Sequence, residues 1–136
     1  MSEVFHSHVG VVHLKVLNLS DSEQFYDYFY QVLTLNKKDK TGDYVGYWGN
    51  FGILLTEQKN HLINVQNDFK TGIAKLSIFV SDKNKVDEVY HELSQYGYHF
   101  EWKPQDFDYS KGYYSTCIAD PDDNQIEIYY AEPSED

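Results

Sequence analysis

GIAKLSIFVSDKNKVDEVYHELSQYG, residues 72–97, decides how the rest of the chain is read. It opens as a β-rich run and passes Ser81-Asp82. It then becomes a helix whose apolar residues Val86, Val89, Tyr90 and Leu93 share one face, with Gly97 placed to end it. The same order has already occurred once. VGVVHLKVLNL (9–19) is β-rich, and Ser20 and Glu23 have capping-box spacing. Phe25, Tyr28, Phe29, Val32 and Leu33 then follow the i, i+3, i+4, i+7, i+8 spacing of a helical face. Ser20-Asp21 and Ser81-Asp82 mark matching junctions about 60 residues apart, a period that indicates a repeated unit.

Outward from each helix the pattern returns to strands. DYVGYWG and FGILLTE follow the first helix, after a polar stretch; YHFEW (98–102), GYYSTCI (112–118) and NQIEIYY (124–130) follow the second. The order predicts a βαβββ module made twice, about residues 8–60 and 72–131, within one domain spanning 1–136. HLINVQND (61–68) is an extra short strand or the link between modules. The fold class is α+β, with paired modules forming a curled mixed sheet around a central cup.

Composition narrows the function. The chain has 136 residues, 41% hydrophobic and 17% aromatic, enough for a core that buries roughly two thirds of the unfolded surface without disulfides. Its net charge is −11, from 11 basic and 22 acidic residues, and every one of the basic residues is lysine. That balance argues against nucleic acid, which wants clustered cations, and against anionic membranes. No apolar run is long enough to span a bilayer, so a cytoplasmic protein is expected. Cys117 is the single cysteine and forms no internal disulfide. Asp120, Asp122 and Asn124 alternate like a calcium loop, but Gln125 and Ala131 stand where that loop needs Gly and Glu. A turn entering a strand explains the acidic run better.

ADPDDNQIEIYY (119–130), together with the duplicated βαβββ order and a histidine inside the first strand (VVHLKV), resembles the glyoxalase / bleomycin resistance / extradiol dioxygenase superfamily, also called vicinal oxygen chelate. The closing stretch is similar to that family's Asp-Pro-Asp-Gly-Asn turn and its ligand-bearing strand, with Asp123 where glycine is usual. The resemblance implies a divalent ion in the cup, held from the first strand of each module and the last strand of one or both. His13 and Glu127 match two of those positions. At a third the chain offers Ala74 or Lys75, and at the fourth Leu54, none of them a normal ligand. His6 and His8 precede the first strand and are the other candidate ligands; Glu57 alternates to the opposite face from Leu54. Two protein ligands are too few for a firm site, so no metal cofactor is expected.

The expected site therefore rests on His13, Lys75, Tyr47, Trp48, Trp102, Tyr114 and Glu127. If Lys75 faces the cup, its ammonium replaces the charge of a metal and lowers the pKa of Glu127. The aromatic residues around it suit a flat ligand, and the acidic chain favours neutral or cationic ones. The resulting expectation is a family member that binds a small organic molecule in a metal-free aromatic pocket, as a homodimer. The first alternative is a lyase, isomerase or dioxygenase using Fe, Mn, Ni or Zn, with His13 and Glu127 as catalytic residues. The second is a non-catalytic regulatory or partner-binding domain.

Overall fold

A computed structural model describes residues 10–33, 35–58 and 75–133. His6, His8, Ala74 and the segment 61–68 lie outside the described residues. Contacts divide the chain into two compact units after residue 61.

Module one runs β1 (Val11–Val16), α1 (Leu19–Val32), β2 (Lys37–Lys40), β3 (Tyr44–Trp48) and β4 (Gly52–Glu57), with sheet order β1-β4-β3-β2. Module two repeats the plan. β5 (Lys75–Phe79), α2 (Lys83–Ser94), β6 (Phe100–Asp106), β7 (Tyr114–Ala119) and β8 (Gln125–Tyr130) give the order β5-β8-β7-β6. In each sheet the first and last strands of the module run parallel at one end while the other pairs are antiparallel. Two βαβββ modules with mixed sheets are thus present. Among the described residues no helix is long and apolar enough to cross a membrane.

Each helix lies on one face of its own sheet; the opposite, open face carries no helix of its own module. Phe25, Tyr26 and Phe29 are buried under α1, and Val86, Val89 and Leu93 under α2. Strand alternation supplies the opposing side chains: Val12, Val16, Val45, Ile53 and Leu55 in module one, Ile78, Ile118, Ile126 and Ile128 in module two. Burying each such aliphatic side chain is worth about 1.5–3 kcal/mol.

The helix starts differ from the sequence expectation. Asn18, not Ser20, caps α1: its Oδ1 accepts the Asp21 N–H at 3.0 Å, and Glu57 Oε1 accepts the Leu19 N–H at 3.0 Å. Glu23 turns instead to β2, where Lys38 and Lys40 donate to it. In α2 the cap is Asp82, whose Oδ1 accepts the Asn84 N–H at 2.9 Å. The C-cap is Gln95, and Gly97, two residues on, takes the left-handed φ of 81°.

These caps reset the match between modules. The spacing from Asn18 to Asp82 equals that from His13 to Ser77, and the strand ladders agree. His13 lies beside Leu54, and Ser77 lies beside Glu127. The residue of module two that corresponds to His13 is therefore Ser77, rather than Ala74 or Lys75.

β6 is an edge strand, which accommodates Pro104, and it is irregular. The register slips between Phe100 and Trp102. Phe100 meets Tyr90 of α2 at 4.8 Å between ring centroids, on the helix side. Trp102 turns to the open face, where its Nε1 donates to Ser115 Oγ at 3.1 Å. A bulge that re-aims a side chain in this way is common where a sheet edge carries a site.

Candidate functional site

The acidic turn before β8 is structural. Asp120 is buried, and its Oδ1 accepts the N–H groups of Asp122 (2.9 Å) and Asn124 (2.8 Å), while Oδ2 accepts from Asn124 Nδ2 (3.0 Å). Asp123 sits at the tip with φ 65°, the left-handed conformation that explains why glycine is favoured there. This turn fixes the antiparallel register in which Cys117 faces Glu127 and Ser115 faces Tyr129. Tyr113, Ser115, Cys117 and Glu127 consequently share the open face of module two.

Glu127 is fully buried, and its carboxylate is surrounded by donors. The Ser77 hydroxyl donates to Oε1 at 2.6 Å, and Lys75 Nζ lies 3.1 Å from the same oxygen. The Tyr113 hydroxyl donates to Oε2 at 2.9 Å, and Ser115 is a further hydrogen-bonding partner. Burial alone would raise the carboxyl pKa. The bonds from Ser77, Ser115, Lys75 and Tyr113 outweigh it and hold the group below its ordinary value, so Glu127 is an anion at neutral pH. Burial and the Glu127 bond push the Tyr113 phenol upward, which keeps it a donor. Burial likewise pushes the Cys117 thiol up to about 12, so it is an inert side chain.

An unbroken run of aromatic contacts surrounds this carboxylate. Lys75 Nζ stands 5.6 Å from the Trp102 ring centroid. Trp102 meets Phe107 at 5.5 Å, and Phe107 stacks on Tyr109 at 5.2 Å with planes 3° apart. Tyr109 meets Tyr113 edge-on at 5.1 Å, Tyr113 stacks on Tyr129 at 5.1 Å, and Tyr129 meets Phe79 at 5.6 Å. At the Phe79 end a groove of about 430 Å³ is lined by Phe79, Ser81, Tyr129, Tyr130, Ala131, Glu132 and Pro133. Phe79 is 51% and Tyr109 69% exposed, so parts of this strip face solvent.

The other expected residues divide between faces. Trp102 lies in the strip. Trp48 is on the open face of module one, its ring lying across Gly46 and Gly52, where a Cβ would meet it at 2.7 and 2.6 Å. Its Nε1 donates to Asp39 Oδ1 at 2.9 Å. His13 is also in module one, with Nε2 2.7 Å from Thr56 Oγ1. Tyr47 and Tyr114 are corrections. Tyr47 is buried under α1, where its hydroxyl donates to Asp27 Oδ1 at 2.8 Å, and Tyr114 faces α2 and donates to Asp87 Oδ1 at 2.6 Å. Alternation along β3 and β7 sends both to the helix side, so neither lines the open face.

Ser77 and Ser115 were missed by sequence reasoning. A signal for Ser115 existed. Counting equal steps back from the 120–124 turn places Tyr113 and Ser115 on the face of Glu127. Ser77 needed the parallel register of β5 on β8, which follows from the Asp82 cap.

The residues around Glu127 do not fit a divalent metal. A carboxylate offers about four lone-pair sites, and Ser77, Lys75, Tyr113 and Ser115 supply a donor for each. The nearest cation is an ammonium that competes for the same charge. Among the described residues no three His, Cys, Asp or Glu side chains come together to hold a metal ion.

No curated protein matches the sequence. Among solved structures, the chain is similar to a candidate glyoxalase from Bacillus halodurans (19% identity, 90% of this chain and 94% of that one, TM-score 0.74). It is also similar to a glyoxalase/bleomycin resistance protein from Albidiferax ferrireducens (20%, 93% and 100%, 0.71) and to lactoylglutathione lyase from Agrobacterium tumefaciens (21%, 92% and 94%, 0.66). At these identities the likeness shows the fold. A family profile extends it to sequence, matching residues 10–128. With that match and the twice-made βαβββ plan in agreement, the chain belongs to the glyoxalase/bleomycin resistance protein/dioxygenase superfamily.

Proposed function

We propose that this chain binds a small, flat organic molecule on the open face of module two, without a metal at Glu127. The observation that carries the reading is the continuous aromatic strip from Trp102 to Phe79 around the Lys75–Glu127 pair. Partly exposed rings with polar tips provide stacking surface and fixed hydrogen-bond donors for such a ligand. Glu127 serves as the anchor of the donors around it; the bonds that stabilise its anion make it a weak base. The function this supports is binding without turnover.

Titration of the full chain with neutral naphthalene derivatives, followed by tryptophan fluorescence and calorimetry, tests the reading. Saturable binding, weakened at least about tenfold by Tyr129→Ala, is expected from a stacking platform worth about 0.5–1.5 kcal/mol per ring pair plus its buried area. Absence of binding refutes it. Exposure to iron(II), nickel, manganese or zinc, followed by elemental mass spectrometry, should leave no metal that Glu127→Gln removes. One metal per chain, lost in that variant, would refute the metal-free part.

A further inference from the structure

We infer that Lys75 is the recognition group of this face, and that the ligand is an uncharged aromatic molecule carrying a carbonyl oxygen that accepts from its ammonium. The inference rests on the binding reading above and specifies what that site selects. Lys75 and Glu127 are paired, but they are not equally accessible. The Glu127 side chain is 0% exposed and the Lys75 side chain 33% exposed. Whatever reaches the pair meets the positive member.

An ammonium has three N–H donors and no acceptor. Among the described residues Glu127 Oε1 is the polar partner of Lys75, and the Trp102 ring covers another side of the charge at 5.6 Å. Donors remain for a ligand oxygen, and the long stem is held in place by the carboxylate and the ring. Ser77, Tyr113 and Ser115 spend their hydroxyl hydrogens on Glu127, so among the groups bonded to the carboxylate the lysine is the one with donors to spare.

Charge selects among ligands. An organic cation meets the ammonium while the carboxylate that would attract it is buried and saturated. An organic anion is drawn to Lys75 locally, but it approaches a chain of net charge −11 and a pair whose own charges cancel. A neutral carbonyl avoids both penalties, and the expectation of neutral or cationic ligands is narrowed to neutral ones.

A shape-matched series tests this: acetylnaphthalene, ethylnaphthalene, naphthylethylammonium and naphthoate, each titrated calorimetrically into the full chain. Acetylnaphthalene should bind about tenfold to a hundredfold tighter than ethylnaphthalene, the range for one hydrogen bond from a charged donor, and tighter than either ion. Lys75→Met should abolish the preference of acetylnaphthalene over ethylnaphthalene, and Lys75→Arg should retain it. Equal binding of the acetyl and ethyl compounds, or tightest binding of the ammonium, overturns the inference and leaves the aromatic face standing. Failure of all four to bind overturns both. The wild-type series decides even if Lys75→Met folds poorly, because it requires no variant.

Discussion

Glu127→Gln is the substitution that most directly tests the donor cluster. Glutamine keeps the size of glutamate, removes the charge, and turns one of two acceptor oxygens into a donor among donors. Hydrogen bonds to a charged group are worth about 1 kcal/mol more than neutral ones, and Ser77, Lys75, Tyr113 and Ser115 all make one. That gives a gross loss of about 4 kcal/mol. Two effects offset part of it. An amide is less costly to bury than a carboxylate, and Lys75, one third exposed, can turn to water. The expected net loss is about 2–4 kcal/mol at pH 7, read from urea midpoints at constant slope. The folded-state carboxyl titrates below its ordinary value of 4.5, so its contribution is complete above that pH and disappears as pH falls through the depressed value. The gap between wild type and variant should be flat from neutrality to about pH 5 and close below it. A gap under about 1 kcal/mol at pH 7, or one that widens on acidification, would refute the idea that Glu127 is held as a saturated anion.

Asp123→Gly should stabilise the protein by about 0.5–1 kcal/mol, because φ is 65° there and the relief of left-handed strain exceeds glycine's entropy cost. A lower thermal midpoint in the variant would show that the Asp123 side chain contributes more than its backbone costs. Cys117 should react with a thiol reagent only after urea is added, since its thiol is buried and pushed up to about 12; rapid stoichiometric labelling of the native chain would contradict this. Tyr47→Phe should cost about 0.5–1.5 kcal/mol, the net worth of its hydrogen bond to an Asp27 that keeps Lys38 as a partner, yet leave naphthalene binding unchanged. Weakened binding at unchanged stability would return Tyr47 to the ligand face.

The two helices were legible because burying an amphipathic face requires the 3.6-residue spacing that Phe25 and Phe29, or Val86, Val89 and Leu93, display. β2 was not. Its four residues are Lys-Lys-Asp-Lys, and alternation there is expressed in charge pairs: Lys38 and Lys40 turn to Glu23 and Asp27 of α1, while Asp39 accepts from Trp48 on the other face. A strand that buries no apolar side chain carries no hydrophobic period to read. The β6 bulge was equally silent, although it decides that Trp102 stands beside Lys75.

The candidate site was legible in Glu127 and in Lys75 as its conditional partner, and illegible in Ser77 and Ser115, for one physical reason. Glu127 announces itself because an acid among Ile126, Ile128, Tyr129 and Tyr130 must be compensated. Which residue compensates it depends on lateral register, and register is fixed by caps and turns more than by strand composition. Moving the matched junctions from Ser20 and Ser81 to the caps Asn18 and Asp82 changes the counterpart of His13 from Ala74 or Lys75 to Ser77. Lys75 then lies two residues before Ser77 on the same face, near enough to reach the carboxylate from beside it. A hydroxyl at that position and an ammonium next to it satisfy a buried carboxylate with protein groups alone. The same arrangement leaves the lysine as the accessible member of the pair, one third exposed beside a carboxylate with no exposure.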